Sequence, residues 1–362
     1  MRPPDYSGGG LVNLVAELER RLVGRSASPG LHPNLAATIP DADTYLLVLC
    51  DGLGDCQLAH PEASSLAAAR RGTVQAGFPT TTTVSLATVA TGLPPAGHGL
   101  LAYQLWLPEV GQVANTIKWT TLWGDPLEMD SEGFLPGPNT WERLTAQGRE
   151  PIALQPLNFE DTPLTRMLYR GCRREAYADA AEAVTAARQL ARPAGRLVFL
   201  YLPQVDFAAH VGGQDSEMYR RALRLTADVW EALAASLPPG AVMVGTADHG
   251  HVEIPKDRQV RLTKADHLER IFYGDPRALF VRGEGASLAE GLPATWVPFT
   301  EMEGWWGPGR PHPRFAERVP DGALFAHPGY AVLHRFSDDR LIGQHGGLTE
   351  EEVRVPLLVA DG

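Results

Sequence analysis

The spacing of apolar positions changes along this chain, and the changes mark its elements. Leu11, Leu14, Val15, Leu18 and Leu22 recur at helical spacing with Glu17, Glu19, Arg20 and Arg21 between them. This predicts an amphipathic packing helix ahead of the first strand. Thr44–Cys50 is instead a continuous apolar run of strand length, the pattern of a strand buried on both faces of a parallel sheet. It opens into the Gly-rich turn Asp51-Gly52-Leu53-Gly54-Asp55. The same construction returns at Arg196–Leu202, followed by Pro203 to His210, and at Ala241–Thr246, followed by Ala247-Asp248-His249-Gly250-His251. Helical periodicity fills the intervals 178–190 and 216–237. Strands alternating with helices predict an α/β fold, a mostly parallel central sheet with helices on both faces.

Between residues 255 and 340 the pattern loosens, leaving one strand at Ala278–Arg282 and a Gly/Pro-rich stretch over 304–313. We read this part as an insertion or lid over one edge of the sheet, within a single domain spanning residues 1–362 that closes with a strand at 353–360. Residues 100–170, with Tyr103, Trp106, Trp119 and Trp123, are the other place for a substrate wall.

The run Thr80-Thr81-Thr82-Thr83 carries a different signal. Consecutive β-branched residues delay a helix, Val84 to Thr91 can continue one, and Gly92 followed by Pro94-Pro95 ends it. One threonine hydroxyl therefore sits at a helix N-terminus, where unpaired N–H groups favour an alkoxide or a phosphoryl oxygen. A nucleophile and an ordinary N-cap both fit that position.

Composition narrows the class. A net charge of −11, from 32 basic and 43 acidic residues, excludes the basic stripe of a nucleic-acid-binding surface. Cys50, Cys56 and Cys172 are too few and too scattered for a disulfide framework. Residues 1–10 lack the features of a signal peptide, and no apolar run has the length to cross a bilayer. The expectation is a soluble cytoplasmic protein acting on a small molecule, without nucleic-acid polymer or membrane, and with self-association left open.

Asp51, Asp206, His210, Asp248, His249 and His345 are the candidate metal ligands, carboxylates and imidazoles beside Gly or small residues. Such a donor set suits zinc or manganese and is large enough for two ions. Taken in order, the chain shows an Asp at the end of the first strand, a Thr-initiated helix closing in Thr-Gly-x-x-Pro-x-x-His-Gly, then Asp-x-x-x-His, Asp-His-Gly and a late His-Gly. This order resembles the alkaline phosphatase superfamily, and within it the type I phosphodiesterase/nucleotide pyrophosphatase family, from about Tyr45 to about Glu352. In that family the nucleophile lies nine residues before the Thr of the Thr-Gly pair, here Thr91, which implies Thr82. The resemblance further implies two divalent ions, zinc or else manganese. Asp206, His210 and His345 would surround one, and Asp51, Thr82, Asp248 and His249 the other. It implies hydrolysis of phosphodiester or nucleotide pyrophosphate bonds by double displacement through a phosphothreonine.

The chain departs from the family at two points. Thr83 stands where nucleotide pyrophosphatases carry an aromatic residue, and no Asn follows the His98-Gly99 turn. Trp106 or Phe207 are candidate substitutes for a stacking wall, while His98, His251 and Asp55 are expected to serve as turn, orienting or capping residues. Between Thr82 and Ile117 there is no Arg or Lys to clamp a dianionic phosphate, which points to diesters unless a distant residue such as Arg310 folds over. Phosphonoacetate hydrolysis and phosphomonoester hydrolysis are the alternatives within the superfamily, and a non-catalytic metal-binding regulator is the alternative outside catalysis.

Overall fold

The computed structural model describes residues 2–362. Seven strands form its central sheet: β1 (Thr44–Cys50), β2 (Arg70–Gln75), β3 (Glu150–Pro156), β4 (Arg173–Tyr177), β5 (Arg196–Leu202), β6 (Ala241–Thr246) and β7 (Arg354–Asp361). Their spatial order is β2-β7-β6-β1-β5-β3-β4. The five strands from β6 to β4 are mutually parallel, and β7 runs antiparallel to both β6 and β2. Every residue of β1 and β6 is buried, which is why both read as unbroken apolar runs instead of alternating ones.

Helices pack on this sheet as the alternation predicted. Five matter here: α1 (Leu11–Val23), α2 (Thr82–Thr91), α3 (Ala180–Leu190), α4 (Gln204–Gly212) and α5 (Glu217–Ala234). Asp179 and Ser216 cap α3 and α5 by accepting from backbone N–H groups, so both helices start just inside the predicted intervals. In α1 the apolar stripe is buried as expected, but so are Glu17 and Glu19. Glu17 accepts from Arg20 and Arg21, and Glu19 takes a two-pronged bond from Arg143 on the helix Thr140–Thr145. A neighbouring helix covers the face that periodicity alone assigns to water.

Residues 271–326 form a second, four-stranded antiparallel sheet from Ile271–Asp275, Ala278–Arg282, Gly322–Ala326 and Ala294–Pro298, adjacent in that order. One of its faces closes a small core around Phe272, Leu279, Val281 and Leu324. From the other, Phe280 and Phe325 meet Phe78, whose ring also contacts Trp305 and Trp306. This aromatic cluster anchors the segment to the main core immediately before the four threonines. Among the described residues, no helix is long and apolar enough to cross a membrane.

Candidate metal centre and its cleft

Strands β6, β1 and β5 are neighbours, and each delivers chemistry at its carboxyl end, the edge where open α/β sheets bind ligands. Asp51 directly follows β1, Asp248 and His249 follow β6, and Asp206 and His210 sit one turn apart on α4 just after β5. His345 arrives from the far end of the chain, its Nδ1–H donating to the Thr80 carbonyl at 2.8 Å. Gly52 turns the chain at φ 72°, and a Cβ there would lie 2.8 Å from the backbone of Asp206 and from the His251 ring. Only glycine permits both that conformation and that approach.

Thr82 is the first residue of α2, preceded by Thr81 in extended conformation. Thr81 does not cap the helix through its side chain; its hydroxyl donates to Asp275 Oδ1 at 3.2 Å instead. The helix start is thus left open to the cleft, and Thr82 Oγ1 lies 3.1 Å from His249 Nε2. Because His249 Nδ1 is committed to the Gly250 carbonyl, Nε2 is the lone-pair nitrogen and the Thr82 hydroxyl donates to it.

The same tautomer logic applies to the other imidazoles. His210 Nδ1 donates to Gly343 O at 2.7 Å and His345 Nδ1 to Thr80 O, yet their Nε2 atoms face one another at 3.2 Å. Two lone pairs at that separation repel unless a cation lies against them. Around them Asp51 Oδ1 and Asp248 Oδ2 are buried carboxylate oxygens with no hydrogen-bond partner. Asp51 Oδ2 accepts from the Tyr201 hydroxyl. Asp51, Asp248 and His249 offer donor atoms within 4.8 Å of one another, as do Asp206, His249, His251 and His345. Orphaned carboxylate oxygens, opposed imidazole lone pairs and carbonyls that fix each imidazole's orientation are what divalent ions require. The residues present fit the two ions that the resemblance implies.

Electrostatics agree. Burial, followed by Asp206 and Asp248, pushes the Asp51 carboxyl well above the usual range. Burial would raise Asp206 too, but His210, His251 and His249 outweigh it and hold this carboxyl low. His345 is held well below the ordinary imidazole range by burial and then by His249, His210 and His251. The depressed His251 and His345 imidazoles and the crowded Asp51 carboxyl describe a site poised for positive charge.

Sequence reasoning set His251 aside, but the structure brings it in. Its Nε2 lies 2.8 Å from Asp206 Oδ1 and its Nδ1 is buried without a partner. Asp55 does not act as a helix cap through its side chain; it pairs with Arg70 at 2.6 Å. His98 is a turn residue, accepting from the Leu100 N–H and lying 3.2 Å from Thr88 Oγ1.

A cleft of about 260 Å³ opens over Thr82. Tyr103, Ile117, Asp275, Phe336 and Asp338 line it together with His210 and His345. Of the aromatic residues expected there, only Tyr103 takes part, its hydroxyl accepting from Asn115. Trp119 is buried against Phe134, Trp106 faces a neighbouring hollow beside Arg282, and Phe207 is exposed outside the lining. Phe336, Asp275 and Asp338 carry no motif, and no periodicity in the sequence marks them. Arg310 lines a different hollow, with Pro94 and His312. Among the described residues, the cleft lining includes no Lys or Arg.

The family model described as type I phosphodiesterase / nucleotide pyrophosphatase matches residues 45–293. No curated protein matches the chain significantly. Among solved structures, mouse ectonucleotide pyrophosphatase/phosphodiesterase 5 superimposes with a TM-score of 0.65 at 19% identity, over 88% of each chain. Phosphonoacetate hydrolase from Sinorhizobium meliloti, solved with phosphonoacetate, gives 0.64 at 16% identity over 89% of this chain and 91% of its own. The mouse protein has also been solved in an inactive form with AMP. At such identities the likeness is one of fold.

Proposed function

The chain belongs to the type I phosphodiesterase/nucleotide pyrophosphatase family, and we propose that it is a two-metal hydrolase of phosphodiester or nucleotide pyrophosphate bonds with Thr82 as nucleophile. The observation that carries this reading is the meeting of Asp51, Asp248 and His249 with Asp206, His210 and His345 around lone pairs and carboxylate oxygens that lack partners. Asp206, His210 and His345 would hold one divalent ion, and Asp51, Thr82, Asp248 and His249 the other, with zinc favoured and manganese the alternative. When bound, such ions lower the pKa of a coordinated hydroxyl and neutralise charge on attacking and leaving oxygens.

This chain's own residues supply the rest. His249 Nε2 lies 3.1 Å from Thr82 Oγ1, so both atoms can face one ion, and the open start of α2 offers N–H groups to phosphoryl oxygens. Thr82 Oγ1 forms a bond to phosphorus as one alcohol or phosphate departs with a proton, leaving a phosphothreonine that still carries the other substituent. Water then releases it as a monoester and restores the hydroxyl. Tyr103, Ile117 and Phe336 give the substituent a largely apolar wall. A phosphonoacetate-like substrate, which sets a carboxylate beside a phosphonate, is disfavoured by a lining without Lys or Arg. The three free cysteines accord with a cytosolic location.

Metal analysis of purified protein tests the reading. Close to two zinc or manganese ions per chain are expected, with chelation abolishing bis-p-nitrophenyl phosphate hydrolysis and metal restoring it. Full activity in metal-free protein would overturn it.

A further inference from the structure

The cleft has two walls of different origin, and the one opposite the candidate metal ligands carries a carboxyl group that the reaction does not use. Asp275 ends the strand Ile271–Asp275 of the second sheet and is 3% exposed. Its Oδ1 accepts from Thr81, the residue immediately before the nucleophile, and its Oδ2 is buried with no hydrogen-bond partner. Gly346, at φ 112°, packs so closely that a Cβ there would lie 2.3 Å from Asp275 Cβ. The carboxyl is therefore clamped between the threonine run and the turn that delivers His345. Among the described residues no Arg, Lys or His forms an ion pair with it, and the neighbouring Arg277 takes Glu352 as its partner instead. Asp338 adds a second carboxylate to the lining, but Arg340 pairs with it at 2.7 Å, which leaves Asp275 as the carboxyl without a basic partner.

We propose that Asp275 is a specificity-determining residue that makes this cleft select singly charged phosphodiesters over doubly charged phosphate monoesters. The inference rests on the hydrolase reading above and assigns its substrate class to a named side chain. A diester presents one negative charge at phosphorus and a second organic substituent, which Tyr103, Ile117 and Phe336 can cover. A monoester presents a further anionic oxygen in place of that substituent. In a partly desolvated cleft, a fixed carboxylate with a free oxygen beside the nucleophile opposes that extra charge. Selectivity arises from repulsion of the wrong substrate as much as from contact with the right one. Asp275 acts on the choice of substrate and touches neither the proton nor the leaving group.

Asp275→Asn keeps the volume and the acceptor for Thr81 while removing the charge. Wild type and variant, both metal-loaded and both checked for metal content, are assayed at alkaline pH on bis-p-nitrophenyl phosphate and on p-nitrophenyl phosphate. The wild-type ratio of kcat/KM, diester to monoester, is expected to exceed about tenfold, and in the variant to fall at least about tenfold, mainly through a gain on the monoester. Inorganic phosphate, mostly dianionic under these conditions, gives a binding readout and is expected to inhibit the variant several-fold more tightly than wild type. If D275N folds poorly, Asp275→Glu, which keeps the charge, is expected to retain the diester preference. Diester turnover with an unchanged ratio and unchanged phosphate inhibition in D275N, or loss of the preference in D275E, overturns this inference and leaves the hydrolase reading standing. No turnover of either ester by metal-loaded wild type overturns the hydrolase reading and this inference with it.

Discussion

The carboxyl edge of β6, β1 and β5 and the wall built by residues 271–338 face one cleft, but they are made differently. At the sheet edge, Asp51, Asp206, Asp248 and His249 lie within a few residues of buried parallel strands, so their positions follow from the packing of the core. The opposite wall comes from an antiparallel sheet and its following loops, joined to the core through aromatic rings around Phe78. A rigid edge suits metal ligands, whose geometry tolerates little error, whereas an attached segment can change its lining without disturbing them. On the proposed reading, chemistry belongs to the first wall and selection to the second.

Substitutions that should break the first wall have the largest effects. Thr82→Ala is expected to lower kcat by more than about a thousandfold, while Thr83→Ala stays within about tenfold of wild type. Trapping a phosphorylated peptide during turnover locates the nucleophile, and phosphate on Thr81 would refute the assignment.

A smaller effect is expected one step behind the ligands. Tyr201 in β5 donates to Asp51 Oδ2 and shares its buried surroundings. Removing that donor with Tyr201→Phe should weaken metal binding roughly tenfold or more, the usual range for a group that orients a ligand. Competition with a chromophoric chelator measures this, and an unchanged affinity would show that Asp51 is held by the strand alone.

The smallest effect sharpens the second wall. Burial pushes Asp275 up to about 7, with Thr81 and His249 opposing. The folded protein thus holds this proton more tightly than the unfolded chain does. The stability it contributes is complete below the ordinary carboxyl range and is lost as pH rises through about 7. Asparagine never ionises and suffers no such loss. The Tm of metal-free D275N relative to wild type is therefore expected to rise by a few degrees between mildly acidic and alkaline pH. A difference independent of pH would mean that the Asp275 carboxyl is not desolvated.

Much of the first wall was legible in the linear chain. Continuous apolar runs ending in Asp51, near Asp206 and at Asp248-His249 mark buried strands with polar ends, and the threonine run with Gly92 bounds a helix. These are local signals, set by strand burial and by backbone preferences over a few residues. His251 was harder to place, because whether an imidazole beside Asp-His-Gly reaches Asp206 depends on how β6 and β5 flank β1.

What sequence alone determined is therefore the class of fold, the strands whose ends carry polar chemistry, and a threonine run at the start of one helix that offers a candidate nucleophile. Only the tertiary structure decided that Asp275 and Phe336 face Thr82, that Trp119 turns inward onto Phe134, and that Arg310 stays away from the cleft. It also decided that Tyr201 meets Asp51 and that Glu17 and Glu19 are interior. The physical reason is range: apolar periodicity records whether a side chain is buried, because water acts on each residue where it stands. Which distant group it is buried against is a property of two surfaces packed together, and no single stretch of chain contains that information.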